Sequence, residues 1–354
     1  MEFIKDMLVQ YLIPITAVAF MIFVAVVLIN RYVYEENKLR VEEIKMRASE
    51  FITNLLFVKS DEGYGQILDE LKRELPFKKK FVKEILLDTL VHYQLNLKGG
   101  KKEMLNKIYE DLHLNKLSES YIKDSRWHQK SLGIYHFQVF NYTKGIELIR
   151  PYLYHSNEKL RSDAFVSFLS LTSENIEFLA DYNKKIGLVD ELKIVDLIQS
   201  KKFSLPSNID KWILSSNESI VRIGLKLMGF YNHNQNAGEI IKLLNSPSRT
   251  IRYEAILAIK KLSISNAEDS LIDLYDREDK LNKLAILDAL SEIGSAATVN
   301  FLDMLLHQNH FIDSDEKIKI VSSLNTIDSD YFIANFAEDK DIDLIRKHVA
   351  NLTS

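Results

Sequence analysis

Four side chains in one short stretch carry donors of the kind that hold metals: His307, His310, Asp313 and Asp315. Histidines three apart can share a helix face, and carboxylates would complete a donor set. The same stretch, His307-Gln-Asn-His-Phe-Ile-Asp-Ser-Asp, also reads as a loop between helices. Polar residues are expected there anyway, and Ser314 or Asp315 can cap the helix that starts near Glu316. The loop reading is favoured, and no metal or cofactor is expected. Cysteine is absent, which excludes thiol nucleophiles and thiolate metal sites. No G-x-G-x-x-G, P-loop, G-x-S-x-G or H-E-x-x-H occurs, and no catalytic residue is assigned. The chain reads as a non-enzyme.

What remains is cationic or aromatic. Lys72, Arg73, Lys78, Lys79, Lys80 and Lys83 form the most basic patch. Either this is a solvated helix end, the favoured reading, or Lys78, Lys79, Lys80 and Lys83 rest on anionic lipid, at about 1 kcal/mol per basic residue. Trp127, Trp212 and His128 are expected to fill the core between helices. The net charge of −4 gives no general drive towards nucleic acid, and none is expected as a partner.

These residues need elements to position them, and the first element is the clearest. Met7 to Asn30 carries no charge, between Asp6 and Arg31. As a helix it is long enough for a hydrocarbon core of about 30 Å, and Tyr11, Tyr32 and Tyr34 suit the headgroup layers. The apolar run is too long for a cleaved signal peptide and lacks an Ala-x-Ala end. Residues 7–30 are therefore read as a transmembrane helix, with residues 1–6 as a short extracytoplasmic tail. Only Lys5 precedes the span, whereas Arg31, Lys38, Arg40, Lys45 and Arg47 follow it. That bias places the amino terminus outside and the body in the cytoplasm, on the plasma (inner) membrane. The lack of cysteine agrees with that compartment.

Residues 31–59 continue as a juxtamembrane helix without Gly or Pro. Val41, Ile44, Ala48, Phe51, Leu55 and Val58 make a short heptad seam along it. The seam could pair two copies as a homodimer through residues 31–58, or pack on the chain's own next helices, which is favoured. Residues 60–125 read as degenerate helical repeats. SDEGYG (Ser60 to Gly65) is a turn, and helices run over Gln66 to Leu75, Lys79 to Leu97 and Glu103 to Leu112.

Residues 126–354 repeat themselves. Asn157-Glu-Lys-Leu-Arg161-Ser-Asp-Ala164, Ser219-Ile-Val-Arg222 and Thr250-Ile-Arg252-Tyr-Glu-Ala255 follow one template. Lys280-Leu-Asn282-Lys-Leu-Ala285 repeats it with asparagine at the arginine position, and Glu316-Lys-Ile-Lys319 is a weaker copy. Arg222 to Arg252 and Arg252 to Asn282 are both 30 residues, and Arg161 to Arg222 is 61, which leaves room for a degenerate copy near Asp190 to Ile198. Each unit reads as a short helix, a turn and a longer helix, and such pairs bury their faces only by stacking. A small residue three after the arginine lets the paired helices approach closely.

The Arg-x-x-Ala spacing resembles HEAT repeats, best over Thr250 to Gly294, less over Trp127 to Ala180 and Lys211 to Gly229, and faintly before residue 125. The resemblance implies an all-α fold, a right-handed α-α superhelix after one membrane helix. It also implies that Arg161, Arg222, Arg252 and Asn282 form a structural ladder with acidic or amide groups of neighbouring repeats. The single anchor, Trp127 and the run Lys211 to Met228 resemble membrane-anchored bacterial HEAT proteins, which tend to accompany glycosyltransferases of extracellular polysaccharide. The function so implied is a scaffold for a protein partner. The alternative is a tethered HEAT-like enzyme of the DNA-glycosylase or lyase kind, which would want a basic groove or a polar pocket.

Overall fold

The computed structural model describes residues 13–173, 175–307, 313–336, 339, 342, 344 and 345. These contain eighteen α-helices and no strand. The fold is all-α, with two compact units, Met1–Thr172 and Ser173–Ser354.

The first unit is built on α1 (Ile13–Phe57), one uninterrupted helix of 45 residues. The membrane span of the sequence reading and the juxtamembrane helix are therefore one rod; Met7 to Leu12 lie outside the described residues. Every side chain from Ile15 to Glu43 is exposed, so the apolar stretch has no protein around it. Burial begins at Ile44 and continues through Ala48, Phe51, Ile52 and Leu55. These pack on α2 (Asp61–Glu74) and α3 (Lys80–Asn96), so the chain's own helices cover the seam. Of the seam residues Val41 is exposed and Val58 half-buried, and Met46 and Phe57 of the same helix are exposed beside them.

Ser60 to Gly65 is not a turn. Ser60 caps α2, accepting a hydrogen bond from Gly63 N at 3.1 Å, and Asp61 and Glu62 sit in the first turn. A cap and two acids at a positive helix end outweigh two glycines. After α4 (Lys101–Asp111) come α5 (Leu114–Ile122), α6 (Trp127–Val139), the single-turn α7 (Ile146–Ile149) and α8 (Glu158–Leu171). At the crossing of α5 and α6, a Cβ on Gly133 would lie 2.5 Å from Ser118 O and 2.7 Å from Ile122 Cγ1. Gly133→Ala should therefore cost about 1–3 kcal/mol, the usual range for overpacking. Urea unfolding of the detergent-solubilised chain would measure it, and an unchanged midpoint would show that the helices can spread.

The same crossing buries a polar chain. Tyr109 donates to Ser118 Oγ at 2.9 Å, and Ser118 Oγ lies 3.2 Å from His136 Nδ1. Burial pulls the His136 pKa down to about 4. Trp127 and His128 are not core residues, contrary to expectation. They open α6, where no helix lies over them, and both are exposed, Trp127 by 43%. Trp212 is fully buried, as expected, and its Nε1 donates to Asn208 Oδ1 at 3.2 Å.

The second unit stacks helix pairs. After α9 (Leu188–Ser200), α10 (Ile209–Ile213) pairs with α11 (Glu218–Tyr231) and α12 (Ala237–Lys242) with α13 (Arg249–Lys261). Then α14 (Glu268–Tyr275) pairs with α15 (Lys280–Ile293) and α16 (Ala296–His307) with α17 (Ser314–Ile327), on which α18 (Ser329–Phe336) packs. The longer helices touch in series, α9 to α11, α13, α15 and α17.

Three of the long helices carry side-chain caps, and α13, which starts after Ser248, does not. Asn217, Asp279 and Asp313 each accept backbone N–H bonds at the start of a long helix. The α17 cap is thus Asp313 rather than Ser314 or Asp315, because its Oδ1 accepts from the N–H groups of Asp315 and Glu316 at 2.9 and 3.0 Å. Ala164, Ala255 and Ala285, each three after the template position, are buried. Behind Arg222 that place belongs to Leu225, and Gly224 makes the close approach instead, 3.0 Å from Trp212 Cβ for an added Cβ.

Candidate functional site

The repeat residues meet in two arrays within the second unit. The first is buried. Arg222 donates to both Glu191 oxygens, from Nε at 3.0 Å and from Nη2 at 2.5 Å. Its Nη1 reaches Glu218 at 3.3 Å and Thr250 Oγ1 at 3.1 Å, so one guanidinium joins α9, α11 and α13. The side chains of Arg222 and Glu191 are 7% and 2% exposed. Burial works against the arginine's charge, yet the bonds to Glu191 hold its pKa above the ordinary value.

Arg252 pairs in the other direction, with Glu278 of the following unit. Bonding to that carboxylate raises the arginine's pKa. Asn282, at the next template position, donates to the same Glu278 at 2.7 Å. One carboxylate thus takes an arginine from the repeat before and an amide from the helix after.

Arg161 differs. Its Nη1 donates to the carbonyls of His155 and Ser156 at 2.8 and 3.3 Å, and no carboxylate bonds it among the described residues. Arg252 makes the same contact with Ser246 and Pro247 at 2.9 and 3.3 Å. Arg161 and Arg252 therefore share the pinning of the loop five and six residues back, and only Arg252 adds a carboxylate. Glu191 and Glu278 were missed in the sequence; their signal is a carboxylate about one repeat from a template arginine.

The second array is half-buried along the long helices. Lys226 pairs with Glu254, Lys260 with Asp288 at 3.6 Å, and Lys319 with the same Asp288. These steps recur about once per repeat across α11, α13, α15 and α17. All five side chains are half-buried, Lys226 and Glu254 the deepest at 21% and 14% exposed. They form a pattern a partner could read.

Between α9, α11 and α13 lies a cleft of about 360 Å³. Val195, Leu225, Phe230 and Leu257 line it with the Lys226–Glu254 pair at one side. Phe230 is 50% exposed, and Leu188, Val189 and Leu192 of α9 are exposed as well. An apolar floor beside a charge pair suits a peptide or helix from another protein.

The other sequence candidates separate. His307 ends α16, with Nδ1 2.9 Å from Asp303 O, and His310 lies outside the described residues. Asp313 and Asp315 both pair with Lys280, at 2.8 and 2.5 Å. Among the described residues no cluster of His, Asp and Glu is placed to hold a metal. Lys78, Lys79 and Lys80 are exposed around the α2–α3 turn, and Lys83 lies over the Phe77 ring at 4.9 Å.

No curated protein matches the chain. Residues 239–325, from within α12 into α17, match the family model of HEAT repeats, so this part of the chain is similar to that family.

Proposed function

We propose that the chain is a non-catalytic scaffold, anchored by α1 in the plasma (inner) membrane, whose cytoplasmic repeats hold a protein partner. The cleft beside Phe230 carries this reading, because it exposes apolar surface next to a recurring charge pattern. The basic residues after Asn30 support the orientation. An anchor confines the repeats to a thin layer and raises their effective concentration against a membrane-bound partner. A glycosyltransferase of exopolysaccharide synthesis or export fits this setting, on the resemblance to membrane-anchored bacterial HEAT proteins. Arg222, Arg252 and Asn282 serve the stack rather than the partner in this reading.

The test compares recovery of one partner from native membranes by three chains: wild type, Phe230→Asp, and a chain whose residues 1–30 are replaced by an unrelated span of the same orientation. Phe230→Asp should lower recovery roughly tenfold, the effect of an interface anchor residue, and the foreign anchor should keep it. Full recovery with Phe230→Asp and none with the foreign anchor would move recognition into the bilayer.

A further inference from the structure

The first unit turns a basic, tryptophan-bearing edge back along α1 towards Asn30. Arg47 Nη1 lies 3.8 Å from Glu74, which ties the end of α2 to α1 at Arg47. Tyr93 OH lies 3.2 Å from Thr53 Oγ1, and Lys101 Nζ lies 3.5 Å from the Phe57 ring, which ties the end of α3 and the start of α4 to the far end of α1. Hence α3 begins on the anchor side and runs away from it. The α2–α3 turn, with Lys78 and Lys79, and the last turn of α2, with Lys72, face the anchor.

A second turn joins this edge. Lys80 lies over the Tyr121 ring at 5.2 Å, and Tyr121 donates to Glu84 at 2.6 Å. The α5–α6 turn that follows Tyr121 carries Lys123, Arg126 and the exposed Trp127. Glu74, Glu84 and Asp124 on this edge are already engaged, by Arg47, by Lys80 with Tyr121, and by Arg126. Lys72, Lys78, Lys79 and Lys123 have no carboxylate partner among the described residues.

We propose that this edge is a bilayer-contact surface, in which these lysines meet anionic phospholipid headgroups and Trp127 enters the headgroup layer. It rests on α1 being a membrane anchor. Charge complements charge, and an indole prefers that layer. The geometry requires a tilted stem. Arg47 is 17 residues beyond Asn30, about 26 Å along a helix. Upright, the lysines would stand beyond the screening length of about 8–10 Å from the headgroups. A tilt of about 40°, the upper end for membrane helices, lowers Arg47 to about 20 Å. The same tilt swings an edge one helix spacing aside, about 10 Å, lower still, into reach of extended lysines. Contact with anionic lipid therefore sets the angle at which the stem leaves the membrane.

The chain has two tryptophans, and Trp212 is fully buried, so Trp127 reports the contact. The full chain is reconstituted in phosphatidylcholine vesicles with and without phosphatidylglycerol, each containing lipid brominated near the headgroup. Quenching of Trp127 should be strong with phosphatidylglycerol, weak without it, and lost in about 1 M sodium chloride, where the Debye length is about 3 Å. Lys78→Glu with Lys79→Glu should shift the ratio of seated to free bodies roughly tenfold or more towards free. Far-UV circular dichroism should stay unchanged, and Lys123→Gln gives a milder second variant on the neighbouring turn.

Equal quenching in both lipids, or quenching indifferent to both variants and to salt, would overturn the proposal. So would release by inorganic phosphate at an ionic strength where chloride has no effect, which would mean a discrete anion site. Flotation with pure phosphatidylcholine vesicles after an alkaline carbonate wash reads the anchor separately. Loss of flotation sinks the anchor reading, whereas flotation without lipid-dependent quenching sinks only the contact surface.

Discussion

Arg222→Ala should unfold the detergent-solubilised chain about 3–5 kcal/mol more easily than wild type, the cost of removing one partner of a buried ion pair. Glu191, with a side chain 2% exposed, would lose both bonds from the guanidinium, and α11 would lose its Arg222 links to α9 and to Thr250 of α13. The double variant Arg222→Met with Glu191→Leu should regain most of the loss, because neither charge then remains to be desolvated. Urea unfolding of the two variants checks both statements. If Arg222→Ala kept wild-type stability and lost only its partner, the arginine would be a contact residue rather than a joint. Arg252→Ala should follow the same logic at the next step, since Asn282 alone would hold Glu278.

The template behind this prediction is visible in the sequence because it is local. Arginine and alanine three apart mark one helix face, and their return after 30 residues marks the stack. The long uncharged run before Arg31 is legible for a similar reason, since hydropathy adds along consecutive residues. What the sequence hides is set by distant neighbours. Nothing near Glu191 announces that Arg222 lies against it, 31 residues on in the chain. Arg161 carries the full template, yet it bonds only the carbonyls of its own preceding loop. The exposure of Trp127 was likewise unreadable. An aromatic residue at a helix start looks the same whether or not another helix covers it, and here none does. The charge array through Lys226, Glu254, Lys260, Asp288 and Lys319 appears only once the long helices lie side by side.

Stability should also fall as the pH drops from about 6.5 to about 4, through His136. The side chain is 2% exposed and sits between Ser118 Oγ and the Tyr121 ring. Burial lowers its folded pKa to about 4, against an ordinary value of about 6.5 for histidine in an unfolded chain. Above pH 6.5 both states are neutral and the residue contributes no pH dependence. Between the two values the unfolded chain binds a proton that the folded one refuses, so folding weakens as pH falls; below about 4 both states are protonated and the loss levels off. The full loss is on the order of 3 kcal/mol. Glu177, held below the ordinary glutamate range by its bond from Ser207, titrates only at lower pH, and its own stabilisation is lost there. His136→Phe keeps a ring beside Tyr121 and removes the titrating nitrogen, leaving Ser118 Oγ bonded to Tyr109 and to Leu114 O. That variant should flatten the urea midpoint between pH 6.5 and 4.5, whatever it does to the midpoint at pH 7.5. If wild type and His136→Phe lost stability in parallel over that window, the buried imidazole would not be the group that senses it.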